Sequence, residues 1–112
     1  MSLDENKIDE NKVAEEIKAQ ISENRILLYM KGSPSAPQCG FSAQVAGALK
    51  DCGQKFAFVD ILQNPDIRMV LPKVAEWPTF PQLYVEGELI GGCDIICELH
   101  EAGELSDILE AN

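Results

Sequence analysis

An apolar run from Ile26 to Met30 gives way to Lys31-Gly32-Ser33-Pro34-Ser35-Ala36-Pro37-Gln38, and Cys39 then opens a helical pattern that runs to about Cys52. This strand, loop and helix passage constrains the chain more than any other stretch. It puts a cysteine at the start of a helix, where the first N–H groups lack internal partners and carry partial positive charge. A thiolate is stabilised there, and the thiolate is the form that attacks disulfides and binds metals. An ordinary cysteine of pKa ~8.5 is only about 3% thiolate at pH 7. Making Cys39 mostly thiolate takes a shift of roughly 2 units, about 2.7 kcal/mol. A helix terminus supplies ~0.3–1 kcal/mol, and about 2 in favourable geometry. Local N–H bonds and a cation such as Lys31 must provide the remainder. The competing reading is a buried cysteine acting as a small hydrophobe. The loop's prolines, glycines and lysine favour the reactive one.

Around this passage the order of elements is readable. Residues 1–10 form a polar extension, and one domain occupies 11–112. Val13, Ile17 and Ile21 recur every four positions and predict an amphipathic first helix. Val45, Leu49 and Cys52 share one stripe of the helix after Cys39, with Gly53 as its terminator. Cys52 is thereby expected in the core. Phe56 to Val59 reads as a strand ending at Asp60. Asn64-Pro65-Asp66 reads as an N-cap, a first-turn proline and a dipole-matched acid. Ile67, Val70, Leu71 and Val74 continue that helix, and Pro72 should kink or end it nearby. This αβαβα order favours a sheet with parallel crossovers. Leu83 to Val85 and Leu89-Ile90 are short strands joined by a tight Glu86-Gly87 turn. Helices over about Asp94 to Ala102 and around Leu105, Ile108 and Leu109 complete the chain.

The net charge is −10, and all nine Lys and Arg lie at or before Lys73, leaving the last 39 residues without one. Nucleic acid and membrane surfaces would repel most of such a chain and are not expected as its partners. No apolar run approaches a membrane span, and the polar, acidic start lacks the layout of a signal peptide, so a cytoplasmic protein is expected. Lys31, Arg68 and Lys73 are the cations placed to meet a small anionic ligand. Cys39, Cys52, Cys93 and Cys97 form neither a C-x-x-C pair nor a zinc-ribbon spacing. Ser42 stands where a dithiol motif carries its second cysteine, so Cys39 has no resolving thiol in its own motif.

Two further stretches carry candidate sites. Prolines bracket Thr79-Phe80, and a cis Phe80-Pro81 bond would turn the Phe80 backbone outward to pair with an extended peptide; the residues alone favour trans. Gly91-Gly92-Cys93-Asp94 offers flexible backbone at another helix N-terminus, suited to a carboxylate. Asp94 would cap that helix, or accept an ammonium group. Cys93, Cys97 and His100 share a helix side, where packing explains them more simply than a metal does.

Met30-Lys31-Gly32, Cys39-Gly40-Phe41-Ser42, Trp77-Pro78-Thr79-Phe80-Pro81-Gln82 and Gly91-Gly92-Cys93-Asp94, in this order and spacing, make the chain resemble the monothiol, CGFS-type glutaredoxins. The likeness is nearest to the short single-domain bacterial members. It implies a thioredoxin-like α/β fold, a four-stranded mixed sheet flanked by helices, with cis Pro81 before the third strand. It also implies bound glutathione whose sulfur meets Cys39. Lys31 and Arg68 would contact the glycine carboxylate, Thr79 and Phe80 the peptide, and Cys93 and Asp94 the γ-glutamyl end. Lys73 has weaker family support and is left out of the site.

Members of that family bind a [2Fe–2S] cluster. Such a cluster takes four thiolates, so the resemblance implies two Cys39 thiolates from a homodimer and two from glutathione. It also implies BolA-like proteins as heterodimer partners and apo iron–sulfur proteins as recipients. Two rivals remain at this stage. One is a glutathione-dependent oxidoreductase in which Cys39 attacks glutathionylated proteins. The other is a redox sensor built on a Cys39–Cys93 disulfide.

Overall fold

A computed structural model describes residues 8–110 of the chain. Most of the polar extension, residues 1–7, lies outside the described residues. The first helix, α1 (Glu10–Glu23), starts where Asp9 accepts the Lys12 N–H at 3.1 Å. Its apolar stripe buries Val13 and Ile17. The strand β1 (Ile26–Met30) is buried at every position. It lies in the middle of a four-stranded sheet whose order is β4 (Ala57–Asp60), β1, β5 (Gln82–Val85), β6 (Glu88–Gly91). β1 runs parallel to β4 and antiparallel to β5, and β6 runs antiparallel to β5. The sheet is therefore mixed, as the resemblance implied.

Side chains alternate across a strand, and β1 uses both faces. Leu27 and Tyr29 join Val13 and Ile17 of α1, and Ile67, Val70 and Leu71 of α3 (Pro65–Ala75), in one core cluster. Ile26, Leu28 and Met30 join Val45 and Leu49 of α2 (Gly40–Asp51) in the other. That second cluster also takes Ile96 of α4 (Cys93–Glu101) and Leu105 and Leu109 of α5 (Leu105–Glu110). Helices thus cover both faces. Cys52, half-buried, caps the C-terminus of α2 and packs on the second cluster as expected. Glu86 and Gly87 turn from β5 to β6 with φ of 52° and 83°. Positive φ at both central residues is the type I′ form that matches strand twist.

Three local expectations are corrected, and a fourth, the end of α3 close to Pro72, holds. The loop before Cys39 is a miniature hairpin, with β2 (Gly32–Ser33) paired to β3 (Ala36–Pro37) around Pro34-Ser35. Asn64 occupies the N-cap position of α3, but its amide donates to the Asp60 carbonyl at 2.9 Å instead of capping. α3 runs through Pro72 to Ala75 and stops at Glu76, whose φ is 53°. The Trp77 N–H then returns to the Pro72 carbonyl at 3.1 Å. Lastly, Gly92 rather than Asp94 occupies the N-cap of α4, and Asp94 lies inside the first turn as a dipole-matched acid. Among the described residues, no helix is long and apolar enough to cross a membrane.

Candidate functional site

Three backbone donors fix the loop that carries the thiol. The Lys31 N–H bonds the Ser42 hydroxyl at 3.0 Å, tying the end of β1 to the first turn of α2. The Gln38 N–H closes the hairpin onto the Lys31 carbonyl at 2.9 Å. The Gly32 N–H bonds Asp60 Oδ1 at 2.9 Å, and the same oxygen accepts the Leu62 N–H at 2.9 Å. Asp60, at the end of β4, thus anchors the thiol loop from the neighbouring strand. From α2, Lys50 Nζ reaches the Pro34 carbonyl at 2.6 Å.

Held this way, Cys39 is the half-exposed N-cap residue of α2. The Ser42 backbone N–H is the largest influence on its thiol and holds it below the ordinary cysteine value. Desolvation opposes this, while the Phe41 N–H, the Lys31 charge and the Ser42 hydroxyl add to it. Ser42 therefore does more than lack a sulfur. Fully buried, it accepts from Lys31 and stabilises the Cys39 thiolate.

Cys93 behaves oppositely. Burial, the hydrogen bond with Cys97 and neighbouring negative charge push its thiol up to about 11. Cys39 therefore gives up its proton at lower pH than Cys93, which stays protonated at neutral pH. Alkylation by iodoacetamide followed by peptide mapping checks this. Labelling of Cys39 should rise and level off at lower pH than that of Cys93, which should still be rising at pH 10. Ser42→Ala should move the Cys39 profile to higher pH, because it removes a donor to the thiolate.

Next to this thiol lies a groove of about 600 Å³. It brings together Lys31, Arg68, Thr79, Phe80, Cys93 and Asp94, the six residues inferred from the sequence to surround a ligand at Cys39. Cys39 itself is outside that lining, although its neighbour Phe41 contributes and Cys39 lies close enough to Cys93 to affect its charge. Lys73 turns away and pairs with Glu10 of α1 at 3.0 Å. The groove thus carries two cations and one carboxylate, a lining suited to a small zwitterionic molecule with a carboxylate end.

Its far wall is the segment from Trp77 to Pro81, in which the Phe80–Pro81 bond is cis. Gln82 holds this wall and was not apparent as a functional residue from the sequence. Wholly buried, its amide nitrogen donates to the Trp77 carbonyl at 3.0 Å and the Thr79 carbonyl at 3.2 Å. Its amide oxygen accepts the Tyr84 hydroxyl at 3.0 Å. The available signal was a glutamine opening an otherwise apolar strand. Gly91-Gly92, read as flexible backbone, is instead a place of close packing. A Cβ on Gly91 would lie 2.8 Å from Ile95 Cδ1, and one on Gly92 would lie 3.2 Å from the Pro81 carbonyl.

The expected Cys93, Cys97 and His100 face divides. His100 Nε2 meets Asp51 Oδ2 at 3.2 Å, whereas the two thiols face one another and Gln44.

A four-stranded mixed sheet with one ionisable thiol on the N-terminus of its crossover helix places the molecule among thioredoxin-like proteins. The comparisons narrow this class. Residues 26–90 match the family model described as Glutaredoxin. The chain is 65% identical over 96 residues to Glutaredoxin 4 of Escherichia coli strain K12, covering 86% of this chain and 84% of that protein. Reduced poplar apo GrxS14 superposes with a TM-score of 0.74 at 42% identity, over 86% of this chain and 88% of that one. A buckwheat glutaredoxin, solved as a glutathione complex, gives 0.78 at 21% identity, over 89% of each chain, a likeness of fold alone. The chain belongs to the glutaredoxin family.

Proposed function

We propose that this protein binds glutathione in the groove beside Cys39 and, as a pair of chains, carries a [2Fe–2S] cluster to apo iron–sulfur proteins in the cytoplasm. The observation that carries the reading is one thiol of lowered pKa beside a groove of mixed charge, with buried Ser42 where a second thiol would stand. Lys31 and Arg68 would pair with the ligand's carboxylate, Asp94 with its ammonium group, and the backbone around Thr79-Phe80 with its peptide. The same placement would bring the ligand's sulfur to Cys39.

The donor set fits a shared cluster better than one held by a single chain. Among the described residues no group of three or more His, Cys, Asp and Glu converges on one point. A [2Fe–2S] centre takes four thiolates, which two Cys39 side chains and two glutathiones would supply. When bound, the group provides a labile, transferable iron–sulfur unit. Phe41, 60% exposed, and Ile95, 37% exposed, leave an apolar rim on the groove that a second chain or a BolA-like partner would cover. A glutathione-dependent oxidoreductase is the second reading, favoured by the lowered Cys39 pKa, since the same thiolate attacks a mixed disulfide.

Anaerobic reconstitution with iron, sulfide and glutathione tests the proposal. The native chain should give a coloured dimer, lost in Cys39→Ser and kept in Cys93→Ser and Cys97→Ser. Robust turnover of a glutathione mixed disulfide with no uptake of iron would favour the oxidoreductase instead.

A further inference from the structure

We propose that Cys93, Cys97 and Gln44 form a second metal site, separate from Cys39, that takes a soft divalent cation of zinc's size. Cys93 and Cys97 stand one turn apart on α4, with their sulfurs 3.8 Å from each other. From α2, Gln44 Oε1 lies 3.2 Å from the first sulfur and 3.6 Å from the second. These three donors make a triangle that can be compared with known coordination. Tetrahedral zinc with Zn–S of ~2.3 Å and Zn–O of ~2.1 Å separates its sulfurs by about 3.8 Å and sulfur from oxygen by about 3.6 Å. The triangle is close to one face of that tetrahedron.

A disulfide fits the pair less well. It needs Cβ atoms ~3.5–4.5 Å apart, whereas residues one turn apart on a helix hold theirs at ~5–6 Å. A bridging ion spans the sulfurs without unwinding α4. Two thiolates with one carbonyl oxygen select zinc over magnesium and calcium. Binding breaks two S–H bonds, forms two metal–sulfur bonds and releases two protons to solvent, with no change of oxidation state. Gln44 is exposed and both cysteines are partly so, which leaves the fourth coordination position to water. His100, the nitrogen donor that the spacing alone would have recruited, is occupied with Asp51. The site would also clamp α2 to α4, since each helix supplies part of it.

The test uses the full-length reduced protein, freed of metal and glutathione, with Co²⁺ as spectroscopic probe and Zn²⁺ as competitor. One equivalent of Co²⁺ should give sulfur-to-metal charge-transfer absorption and tetrahedral d–d bands, both removed by Zn²⁺. Cys39→Ser should keep this signal. Cys97→Ser and Cys93→Ser should weaken binding beyond the roughly 10–100-fold that loss of an outer-shell group costs. Gln44→Ala, a surface change, should weaken it about tenfold or more. Zn²⁺ should raise the melting temperature of the native chain and of Cys39→Ser, but not that of Cys97→Ser. The proposal is overturned if the bands survive in Cys97→Ser, vanish in Cys39→Ser, or never form. Should Cys97→Ser fail to fold, unchanged affinity in Gln44→Ala overturns it equally.

Discussion

Gly32→Ala should lower the melting temperature by roughly 10–20 °C and slow alkylation of Cys39 at pH 7. Gly32 sits at φ 88°, and a Cβ there would lie 2.5 Å from the Ala36 carbonyl oxygen and 2.8 Å from the Gln38 nitrogen. Both obstacles are backbone, so no side chain can swing aside to make room. Left-handed backbone at a non-glycine residue costs ~1–3 kcal/mol, and overpacking a tight site a further ~1–3. The sum is about 2–6 kcal/mol, a large fraction of a small domain's stability. The damage is also local to the chemistry. Opening the hairpin releases the Gln38 N–H from Lys31 and the Gly32 N–H from Asp60. Those bonds hold the approach to Cys39, and without them the Ser42 and Phe41 donors lose their alignment on sulfur. Gly47→Ala is the control. A Cβ on Gly47 of α2 meets nothing within 4 Å, so this change should stabilise by up to about 1 kcal/mol through helix propensity. Thermal melts and labelling rates of the two variants separate backbone constraint from a general effect of removing glycine. Equal melting temperatures for both would refute the account.

The second large effect belongs to Gln82→Leu. The leucine keeps much of the volume but leaves the Trp77 and Thr79 carbonyls and the Tyr84 hydroxyl without their buried partner. Each unsatisfied buried group costs ~1–3 kcal/mol, so a loss of about 3–5 kcal/mol is expected after partial relaxation. Tyr84→Phe isolates one arm of the network. It should cost less, and the two changes combined should cost less than their sum, because they share a bond. Affinity for glutathione, the ligand proposed for the groove, distinguishes the amide's two ends. Gln82→Leu should weaken it, since the wall from Trp77 to Phe80 lines the groove. Tyr84→Phe, acting away from that wall, should leave it near native. Chemical denaturation and calorimetric titration give the two readouts. A Gln82→Leu protein with native stability would show that water replaces the amide.

The layered architecture was legible because it rests on periodicity. Val13 and Ile17 repeat at helical spacing, Ile26 to Met30 is continuously apolar, and Glu86-Gly87 is a strong turn signal. Each of these is a local pattern with one favoured outcome. The paired two-residue strands around Pro34-Ser35 are too short to carry any period. Asn64 and Asp94 show the limits of cap rules: the residue types suit a cap, yet the Asn64 amide was drawn to Asp60, and the α4 cap position went to Gly92. Lys73 and His100 belong to the same class, since their partners Glu10 and Asp51 are remote or on another helix. Lys31 and Arg68 came from the charge distribution as well as from motif resemblance, Thr79, Phe80, Cys93 and Asp94 took their roles from the resemblance, and the groove brings all six together. Asp60 and Gln44 stayed hidden because each acts through tertiary contacts that no spacing encodes. Gln82, by contrast, bonds to residues within five positions and was missed because its amide reads as an ordinary polar residue opening a strand.

Ser42 sets a further condition on this molecule's redox life. Its oxygen already answers to the β1 backbone on one side and to the Cys39 sulfur on the other. A larger atom at that point would have to disturb the seam between strand and helix to form an internal bridge. A thiol that resolves an exchange at Cys39 therefore comes from outside the motif, from another part of the fold or from solution.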